Sequence, residues 1–318
     1  MNNIVKYIEE SESVVIISHI DEDTDAFGSS LAMLEMLKGK GKKAVYYISK
    51  PIEKRIGFLS DDYEIFDKDK ISGQFDLLIC LDSGDEGRLG ERACLLEMAK
   101  RTVNIDHHYT NTMYAMENRV DGDMSSTAEM VYDLFREMKV ELTKTMAECL
   151  YSGIMGDTGC LKYSCASPKT VMTVSRLMEY GIDHALLCRR LFDIEPANAI
   201  KLKGYVMNNL ESYFDGQLTL ASLDEEALQK FGIAENETGD IVNIPRRVEG
   251  TEIAVFVKKT KEKIKISLRS NGKYNVGEIA LKIGGGGHEM AAGASLPLCD
   301  IEDAKKEIVR IIGESING

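Results

Sequence analysis

The sequence predicts an α/β protein in which a parallel-sheet domain precedes a smaller α+β domain. Its 318 residues are enough for two domains of ordinary size. In the first half, short apolar runs alternate with helical patterns, which is typical of parallel strands in βαβ units. In the last third, the strand patterns alternate apolar and polar residues, which is typical of sheets with one face in water. We predict a first domain at residues 1–192, a helical connector at 193–212 and a second domain at 213–318.

The predicted strands of the first domain end in polar residues. Four apolar runs are interpreted as strands, at residues 13–18, 44–48, 75–81 and 103–105. Three of these runs lead into His19, Asp82 and Asp106. Because ligands bind beyond the carboxyl ends of such strands, we expect these side chains to be neighbours in space. If the backbone stays extended after Asp106, only one of His107 and His108 should face a given pocket.

The helices of the first domain are predicted from apolar residues spaced three and four apart. Asp25 is expected to cap the first helix, and Gly28 is expected to let the backbone come close to another group, for example a phosphate at the helix N-terminus. Ser126 and Glu129 have the spacing of a capping box at a later helix. Further helices are expected at residues 86–100, 143–155, 168–180, 184–192 and, as the connector, 194–210.

The second domain combines three predicted strands with a glycine loop. The strands are expected at residues 217–222, 253–257 and 263–269, and helices at 275–282 and from residue 301. Four consecutive glycines end at Gly287 and are followed by His288 and a run of small residues at 291–295. The segment from Lys258 to Lys273 contains seven basic residues and only one acidic residue. A solvated strand face is the alternative to an anion-binding surface here.

Composition and charge exclude several classes of protein. No run of 18 apolar residues is present, so no membrane span is predicted. The start of the chain lacks the pattern of a secretory signal, so the cytoplasm is the expected location. Seven cysteines without a Cys-x-x-Cys pair argue against a disulfide framework and a structural zinc module. The net charge of −13 argues against binding along long nucleic acids, but short anionic ligands remain open.

The residues that follow the strands also supply a set of metal ligands. Two imidazoles and four carboxylates are available, at His19, Asp23, Asp25, Asp82, His107 and Asp157. They suffice for two metal ions that share a carboxylate, and the ligand types favour Mn²⁺, with Mg²⁺, Fe²⁺ or Co²⁺ as alternatives. Two such ions can hold a bridging hydroxide for in-line attack at phosphorus, so phosphoester hydrolysis is the predicted chemistry. Helix capping and solvated polar turns are the competing interpretations.

Five ordered motifs make the sequence resemble the DHH phosphoesterase superfamily. The first four are His19-x-x-x-Asp23-x-Asp25-Ala26-x-Gly28-Ser29, Leu81-Asp82-Ser83, Ile105-Asp106-His107-His108 and Met155-Gly156-Asp157-Thr158-Gly159. The fifth consists of Arg269-Ser270, the glycine loop with His288, and Ala291-Ala292-Gly293. It resembles the DHHA1 domain and not the DHHA2 domain of manganese inorganic pyrophosphatases. A DHH–DHHA1 pair of this length is similar to the nanoRNase and pAp phosphatase group.

The resemblance implies a role for each motif residue. One metal ion would be held by His19, Asp23 and Asp82, and the other by Asp25, Asp82, His107 and Asp157, so that Asp82 bridges the two. The implied catalytic residues are Asp82, Asp106, His107 and His108. Of these, His108 would face the substrate phosphate, and Asp106 would orient a histidine. A terminal phosphate would be clamped, across a cleft between the domains, by Arg269, Ser270, Gly285, Gly286, Gly287 and His288. The chain departs from the family pattern at Asp21-Glu22 and Thr24, where Asn-Pro and Gly are common.

Three functions remain open at this point. The first is a hydrolase that releases nucleoside 5′-monophosphates from oligonucleotides of a few residues and removes the 3′-phosphate of pAp. The second hydrolyses cyclic dinucleotides or linear products such as pApA. The third is a catalytically silent nucleotide-binding regulator, against which the intact ligand set argues. Expected partners are short single-stranded RNA or DNA and small nucleotides, without long duplexes or membranes. Base preference, direction of attack and the presence of a homodimer are left open.

Overall fold

The computed structural model describes residues 3–316, apart from the side chains of residues 236 and 237. The chain divides into two compact units, Met1–Ile194 and Glu195–Gly318. Each unit has its own six-stranded sheet and its own apolar core, so the predicted fold class is confirmed. Among the described residues, no helix has the length and apolar character needed to cross a membrane.

The sheet of the first unit is entirely parallel. Its strands are β1 (Ser13–Ile17), β2 (Lys43–Ile48), β3 (Glu64–Ile65), β4 (Phe75–Leu81), β5 (Ala99–Asp106) and β6 (Glu117–Val120). They lie in the order β3-β2-β1-β4-β5-β6. The predicted strands are the four central ones, whereas β3 and β6 are short edge strands without an apolar run. The strand order reverses between β1 and β4, which is where open α/β sheets bind ligands.

The register of this sheet brings the polar strand ends to one level. Ile17 in β1 is the partner of Cys80 in β4, and Cys80 is the partner of Asn104 in β5. The residues two positions further along each strand are His19, Asp82 and Asp106. Strand register therefore brings together three residues that lie far apart in the sequence.

The described part of the first unit contains seven α-helices. They are α1 (Asn3–Glu10), α2 (Thr24–Gly39), α3 (Leu95–Met98), α4 (Thr127–Glu137), α5 (Lys144–Asp157), α6 (Pro168–Met178) and α7 (His184–Cys188). Helix α2 is buried over most of its length and packs against α5. Gly28 makes this close approach, because a Cβ atom there would overlap the backbone carbonyl of Cys149 in α5. The glycine thus allows the predicted close approach of the backbone, but the group that it approaches is helix α5.

The start of α2 also differs from the prediction. Asp23 is the N-cap, and its carboxylate accepts hydrogen bonds from the backbone N–H groups of Asp25 and Ala26. Asp25 lies inside the first helical turn and is fully buried. The prediction that Asp25 caps the helix is therefore wrong, since the carboxylate two residues earlier occupies that position. Asp25 is left free to bond elsewhere.

The predicted helix at residues 86–100 is also wrong. Residues Glu86–Cys94 form 3₁₀ turns that are interrupted at Gly90, which has a φ of 60°. Only α3 is α-helical, and β5 already begins at Ala99. The left-handed backbone at Gly90 breaks the helical path, which the spacing of the apolar residues does not reveal.

Half of the predicted capping box at α4 is present. The Ser126 hydroxyl accepts a hydrogen bond from the backbone N–H of Glu129. The Glu129 carboxylate does not return to the cap but accepts hydrogen bonds from the hydroxyls of Ser125, Thr170 and Thr173. Because Glu129 is buried, these hydroxyls supply the partners that a carboxylate away from water requires.

The sheet of the second unit is mixed. Its strands are β7 (Glu211–Tyr213), β8 (Leu218–Leu223), β9 (Ile253–Lys259), β10 (Lys263–Ser270), β11 (Gly286–Gly287) and β12 (Ala291–Pro297). Their order is β11-β12-β10-β9-β8-β7, with only the β8–β9 pair parallel. Strand β10 alternates as expected: Ile264, Ile266 and Leu268 are buried, while Lys265 is exposed.

Five α-helices accompany the second sheet in the described residues. They are α8 (Ala197–Asn208), α9 (Glu225–Phe231), α10 (Asn243–Arg246), α11 (Val276–Lys282) and α12 (Ile301–Ile316). Helices α11 and α12 share the core of one sheet face. The predicted connector helix is α8, and its Leu202 and Val206 pack with Ala221 and Phe256 of the sheet. This helix is therefore part of the compact second unit.

Candidate metal centre

Six polar side chains converge at the carboxyl edge of the first sheet. They come from the segment after β1, the start of α2, the ends of β4 and β5, and the end of α5. The set is His19, Asp23, Asp25, Asp82, His107 and Asp157. Three groups, each with ligand atoms within 4.8 Å of one another, are His19–Asp23–Asp82, Asp25–His107–Asp157 and Asp82–His107–His108. The structure brings together every predicted ligand, and metal binding by them stays a prediction.

Asp82 lies at the centre of this site. Its Oδ2 atom is 3.5 Å from His19 Nε2, and its Oδ1 atom is 3.5 Å from His107 Nε2. The Thr127 hydroxyl donates a hydrogen bond of 3.0 Å to Oδ1. Asp82 is buried and has a φ of 55°, a conformation that Asp adopts more readily than most residues but that still stores strain. The two oxygens of this carboxylate thus face two separate groups of potential ligands.

Hydrogen bonds fix which nitrogen of two histidines faces the site. A carbonyl oxygen can only accept, so the His19 Nδ1–H donates to the carbonyl of Ile20 at 2.7 Å. In the same way, the His107 Nδ1–H donates to the carbonyl of Met124 at 3.4 Å. In both rings, Nε2 is left to face the carboxylates. This is the orientation that metal-binding histidines usually show, with one nitrogen inward and the other held by the protein.

Asp25 and Asp157 complete the second group of potential ligands. The Asp25 carboxylate accepts hydrogen bonds from the backbone N–H groups of Thr127 at 2.7 Å and Ala128 at 2.8 Å. These groups belong to the start of α4, which carries partial positive charge. Asp157 Oδ2 lies 3.1 Å from His107 Nε2. The first turns of α2 and α4 and the last turn of α5 therefore meet at this group.

The pKa values show how the crowded charges affect one another. Burial alone would lower the pKa of His19, but the carboxylates of Asp23 and Asp82 outweigh it and raise that pKa to about 10. The pKa of His107 is likewise raised to about 10, chiefly by Asp157 acting against burial. Burial and neighbouring carboxylates raise the pKa of Asp157 to about 6 and that of Asp25 well above its ordinary value. The site therefore holds more negative charge than its own imidazoles neutralise.

These residues fit divalent cations. The donor atoms are oxygen and imidazole nitrogen, with no thiolate in any of the three groups. This donor set suits Mn²⁺, Mg²⁺ and similar ions. Burial and, after it, the neighbouring carboxylates raise the pKa values of Asp25 and Asp157, and a bound cation would favour their charged forms. The site therefore has both the ligand types and the electrostatic demand for metal.

Both adjacent histidines approach Asp82, which contradicts the expectation that only one faces the pocket. His107 Nε2 and His108 Nδ1 lie 3.5 Å and 3.7 Å from Asp82 Oδ1. The centroids of the two rings are 4.7 Å apart. Strand β5 ends at Asp106, so the alternation of an extended backbone does not apply to the residues beyond it.

Asp106 holds the segment that follows the strand. Its Oδ1 atom is 2.6 Å from His108 Nδ1, and its Oδ2 atom accepts a hydrogen bond of 2.6 Å from the Asn111 amide. Although burial acts in the opposite direction, these two partners lower the pKa of Asp106. Because Asp106 occupies Nδ1, Nε2 is the ring nitrogen of His108 that remains for a ligand. Asn111 was missed in the sequence, where a polar residue three positions after His108 was the only signal.

The departures from the family pattern at Asp21 and Glu22 are both compensated by cations. Asp21 forms an ion pair with Lys50 at the surface. Glu22 and Arg92 form a buried ion pair at 2.7 Å. Arg92 also donates hydrogen bonds to backbone carbonyls at the ends of β1 and β2. The contacts of Arg92 therefore hold the segment that carries His19 and Asp23 in place. The two extra acids of this segment are each paired with a cation.

Arg269 of the second unit is half-buried on β10. Its guanidinium donates to the carbonyl of Leu268 at 3.0 Å, and no carboxylate pairs with it among the described residues. Burial and the charge of Arg246 lower the pKa of Arg269. Arg246 is exposed at the end of α10, and nothing in its sequence surroundings predicts that its charge acts on Arg269.

The other predicted substrate-binding residues of the second unit lie around two short elements. Ser270 is buried, and its hydroxyl oxygen accepts a hydrogen bond from the Gly272 N–H at 3.0 Å. Gly286 and Gly287 form β11 beside β12, and Gly285 precedes them. His288 is exposed, with its backbone N–H donating to the carbonyl of Ala291 at 2.8 Å. Phosphate binding by these residues stays a prediction.

Comparison with known proteins defines the class. The model of the DHH family, N-terminal domain, matches residues 13–154, and the model of the DHHA1 domain matches residues 216–316. The bifunctional oligoribonuclease and PAP phosphatase NrnA of Thermus thermophilus is 34% identical over 303 residues, which cover 95% of this chain and 90% of that protein. The chain therefore belongs to the DHH family, as a DHH domain followed by a DHHA1 domain. The resemblance seen in the sequence motifs is confirmed.

Two further relatives show the range of named activities. The bifunctional oligoribonuclease and PAP phosphatase NrnA of Bacillus subtilis is 27% identical, with 94% of each chain covered. The cyclic-di-AMP phosphodiesterase PdeA of Listeria monocytogenes is 26% identical, but the match covers 96% of this chain and only 48% of that protein.

Solved structures show the same architecture. An exopolyphosphatase-related protein from Bacteroides fragilis has a TM-score of 0.90 and 28% identity, with 99% of this chain and 94% of that chain covered. RecJ from Thermus thermophilus, solved in complex with Mn²⁺, has a TM-score of 0.57 and 14% identity, with 99% of this chain and 54% of that chain covered. The second likeness concerns the fold alone.

Proposed function

We propose that this protein is a cytoplasmic, metal-dependent hydrolase that converts short oligoribonucleotides to nucleoside 5′-monophosphates and pAp to AMP. The observation that carries this proposal is the position of Asp82, whose two oxygens face His19 and His107 at 3.5 Å each. Such sharing is what a pair of metal ions at a phosphoester requires. Relatives that span nearly the whole chain are named for both activities, which supports the choice of substrates.

The proposed ligands fall into two sets that share Asp82. His19 and Asp23 complete one set, and Asp25, His107 and Asp157 complete the other. We propose Mn²⁺ as the ion. When bound, two divalent ions supply Lewis acidity at the phosphate and lower the pKa of a bound water. The protein residues hold these donors in place before any substrate arrives.

In the proposed reaction, water adds to phosphorus and the bond from phosphorus to the 3′ oxygen breaks. The 3′ oxygen takes up a proton, and the phosphate leaves on the 5′ nucleotide or, from pAp, as inorganic phosphate. His108 is the proposed hydrogen-bond donor to this phosphate, since its Nδ1 lies 2.6 Å from Asp106 Oδ1 and this contact raises the pKa of the ring, which favours the protonated form. A charged donor at this position stabilises negative charge that builds up in the transition state.

Recognition of a second phosphate is assigned to the second unit. Arg269 and the neighbouring Arg246 supply positive charge without a carboxylate partner for Arg269 among the described residues. The backbone amides of Gly285, Gly286 and Gly287, with Ser270 and His288, are the proposed further donors. A guanidinium binds phosphate through paired hydrogen bonds, so Arg269 is the main proposed anchor.

A second candidate is hydrolysis of cyclic dinucleotides or of pApA. It is supported by the relative named cyclic-di-AMP phosphodiesterase, of which this chain matches about half. Both candidates use the same metal centre, and they differ in the substrate that the protein turns over best.

The test is a panel of substrates assayed with and without Mn²⁺. The panel contains pAp, pApA, cyclic di-AMP and RNAs of two to five nucleotides, and kcat/KM is measured for each. The proposal expects the highest values for pAp and the short RNAs, and no turnover in the presence of a chelator. A higher kcat/KM for cyclic di-AMP would support the second candidate. Absence of metal-dependent turnover on the whole panel would contradict both.

A further inference from the structure

Tyr109 is the most exposed of the large hydrophobic and aromatic side chains in the described residues, at 80%. It follows His108 directly, so their Cα atoms are about 3.8 Å apart. Isolated exposed aromatic residues are common on protein surfaces and need no explanation. What distinguishes Tyr109 is that both its backbone and its ring are fixed.

The backbone of Tyr109 lies in a turn that is tied to the metal centre. The Asn111 N–H donates to the carbonyl of His108 at 3.1 Å and closes the turn. The side chains of these same two residues bond to the two oxygens of Asp106, at 2.6 Å each. Both ends of the turn are therefore held by one buried carboxylate, which fixes the position of Tyr109 between them.

The ring is held by a second segment. The Tyr109 hydroxyl donates a hydrogen bond of 2.7 Å to Asp123. Gly122 lies against the ring, and a Cβ atom at that position would overlap ring atoms. The Asp121 N–H donates to the carbonyl of Asp106 at 3.2 Å, so this segment is anchored to the same residue. The ring is thus oriented before any ligand binds, while most of its surface remains open.

We propose that the Tyr109 ring is a stacking platform for the base of the nucleotide whose phosphate is processed at the metal centre. A flat, fixed aromatic surface beside a phosphate site has the chemistry that binds a nucleobase. The proposal rests on the proposed function, because it needs a nucleotide as substrate. Every base has an aromatic face, so the platform accepts all four bases and favours substrates that carry a base over those that do not.

The test compares two bisphosphates that differ only in the base. One is pAp, and the other is 1-deoxyribose 3,5-bisphosphate, which has the same phosphates and no base. Tyr109→Ala should raise KM for pAp by about 5- to 150-fold, the range for losing one base stack, and leave the base-free compound nearly unchanged. Tyr109→Phe keeps the ring and should stay within about threefold of the wild type on both. Tyr180→Ala removes a less exposed tyrosine, 40% exposed and two residues beyond the end of α6, and serves as the control.

Gly122→Ala provides an independent variant, because the added methyl group displaces the ring without removing it. It should raise KM for pAp in the same direction as Tyr109→Ala. The double variant Tyr109→Ala/Gly122→Ala should show no further loss, since residues that act through one contact are not additive. Additive losses would show that Gly122 acts on the site by another route and would contradict its role in setting the ring.

The outcomes separate this proposal from the function on which it rests. If Tyr109→Ala lowers kcat/KM equally on both bisphosphates, Tyr109 supports the fold of the metal centre and stacking is excluded. If KM for pAp does not change in that variant, the platform is also excluded, while turnover of pAp by the wild type leaves the proposed function intact. Failure of the wild type to process any nucleotide would instead remove the proposed function itself.

Discussion

The metal centre of the first unit is rich in carboxylates, whereas the phosphate-binding surface proposed for the second unit carries positive charge. The metal centre, formed by the six potential ligands with Asp106 and His108, gathers five carboxylates, three of them buried, that already bond to imidazoles and backbone amides. The phosphate-binding surface, formed by Arg246, Arg269, Ser270, the glycine loop and His288, is mostly open, and its half-buried guanidinium lacks a carboxylate partner among the described residues. The ligand types of the first region suit cations, and the second region is proposed to bind an anion.

This difference has a physical consequence for how each region responds to mutation. In the metal centre, each side chain is a partner of several others, so the loss of one affects the binding of metal as a whole. On the phosphate-binding surface, Arg269 bonds mainly to a backbone carbonyl, so its loss should affect the ligand and leave the fold nearly unchanged. The predictions below test this contrast, from the largest expected effect to the smallest.

Asp82→Ala should abolish turnover, with a fall in kcat of at least about a thousandfold, because the variant loses the carboxylate that both sets of ligands share. The fold should remain nearly intact, since removing one of several crowded carboxylates relieves repulsion. Thermal unfolding, manganese content and initial rates are the measurements. Asp62→Ala, which removes an exposed partner of Lys38, is the control. Activity within tenfold of the wild type in a folded Asp82→Ala protein would rule out the shared role.

Arg92→Met should destabilise the first unit by about 3–5 kcal/mol, because it leaves the Glu22 carboxylate buried without its partner. For a unit of this size the melting temperature should fall by roughly 6–20 °C. Asp21→Asn, which removes the surface pair with Lys50, should change stability by less than about 1 kcal/mol. Equal effects of the two variants would show that the buried pair does not hold the segment that carries His19 and Asp23.

Arg269→Ala should weaken transition-state binding of pAp and dinucleotides by on the order of 2–4 kcal/mol, because a charged phosphate partner is lost. The values of kcat/KM on these substrates should fall accordingly. His288→Ala should act in the same direction. Both variants should keep their manganese and much of the slow hydrolysis of bis-p-nitrophenyl phosphate, which offers no second phosphate to bind. Lys261→Ala, in an exposed part of the same basic run, is the matched control. Loss of manganese, or equal losses on both substrate types, would place these residues in the metal centre.

Substrates longer than about five nucleotides should be poor. The basic residues are concentrated in one segment of a chain whose net charge is −13, so added phosphates gain little from counterion release. The measurement is kcat/KM for a 24-nucleotide single strand against that for a dinucleotide and a trinucleotide. Equal values would contradict the preference for short substrates and would favour a processive exonuclease.

A separate prediction, which involves no substitution, concerns the pH dependence of metal binding. With pKa values of about 10, His19 and His107 are protonated at neutral pH in the metal-free protein. Metal must displace these protons, so the affinity for Mn²⁺ should rise with pH between about 6 and 9, and binding at pH 7 should release about two protons per chain. Calorimetric titration in buffers of different ionisation enthalpy measures that number. An affinity that does not change over this range would show that the imidazoles are not ligands.

Much of the fold could be predicted from local patterns. Strands β1 and β4 are buried along nearly their whole length and therefore form nearly continuous apolar runs, whereas β2 and β5 contain shorter ones. The edge strands β3 and β6 are short and polar, so their pattern carries no such signal. The 3₁₀ segment around Gly90 was missed for a related reason: one left-handed residue redirects the chain without changing the apolar spacing.

The chemistry of the site was determined by the sequence alone, because the ligand types and their order along the chain are recorded there. The tertiary structure decided how these groups are connected. Strand register put His19, Asp82 and Asp106 at one level, and the end of β5 turned both His107 and His108 toward Asp82. The ion pair of Glu22 with Arg92 and the hydrogen bonds from α4 to Asp25 join residues that are distant in sequence. The ring of Tyr109 is fixed by a turn of the local backbone and by its bond to Asp123. Such contacts depend on packing and backbone direction, which residue spacing does not specify.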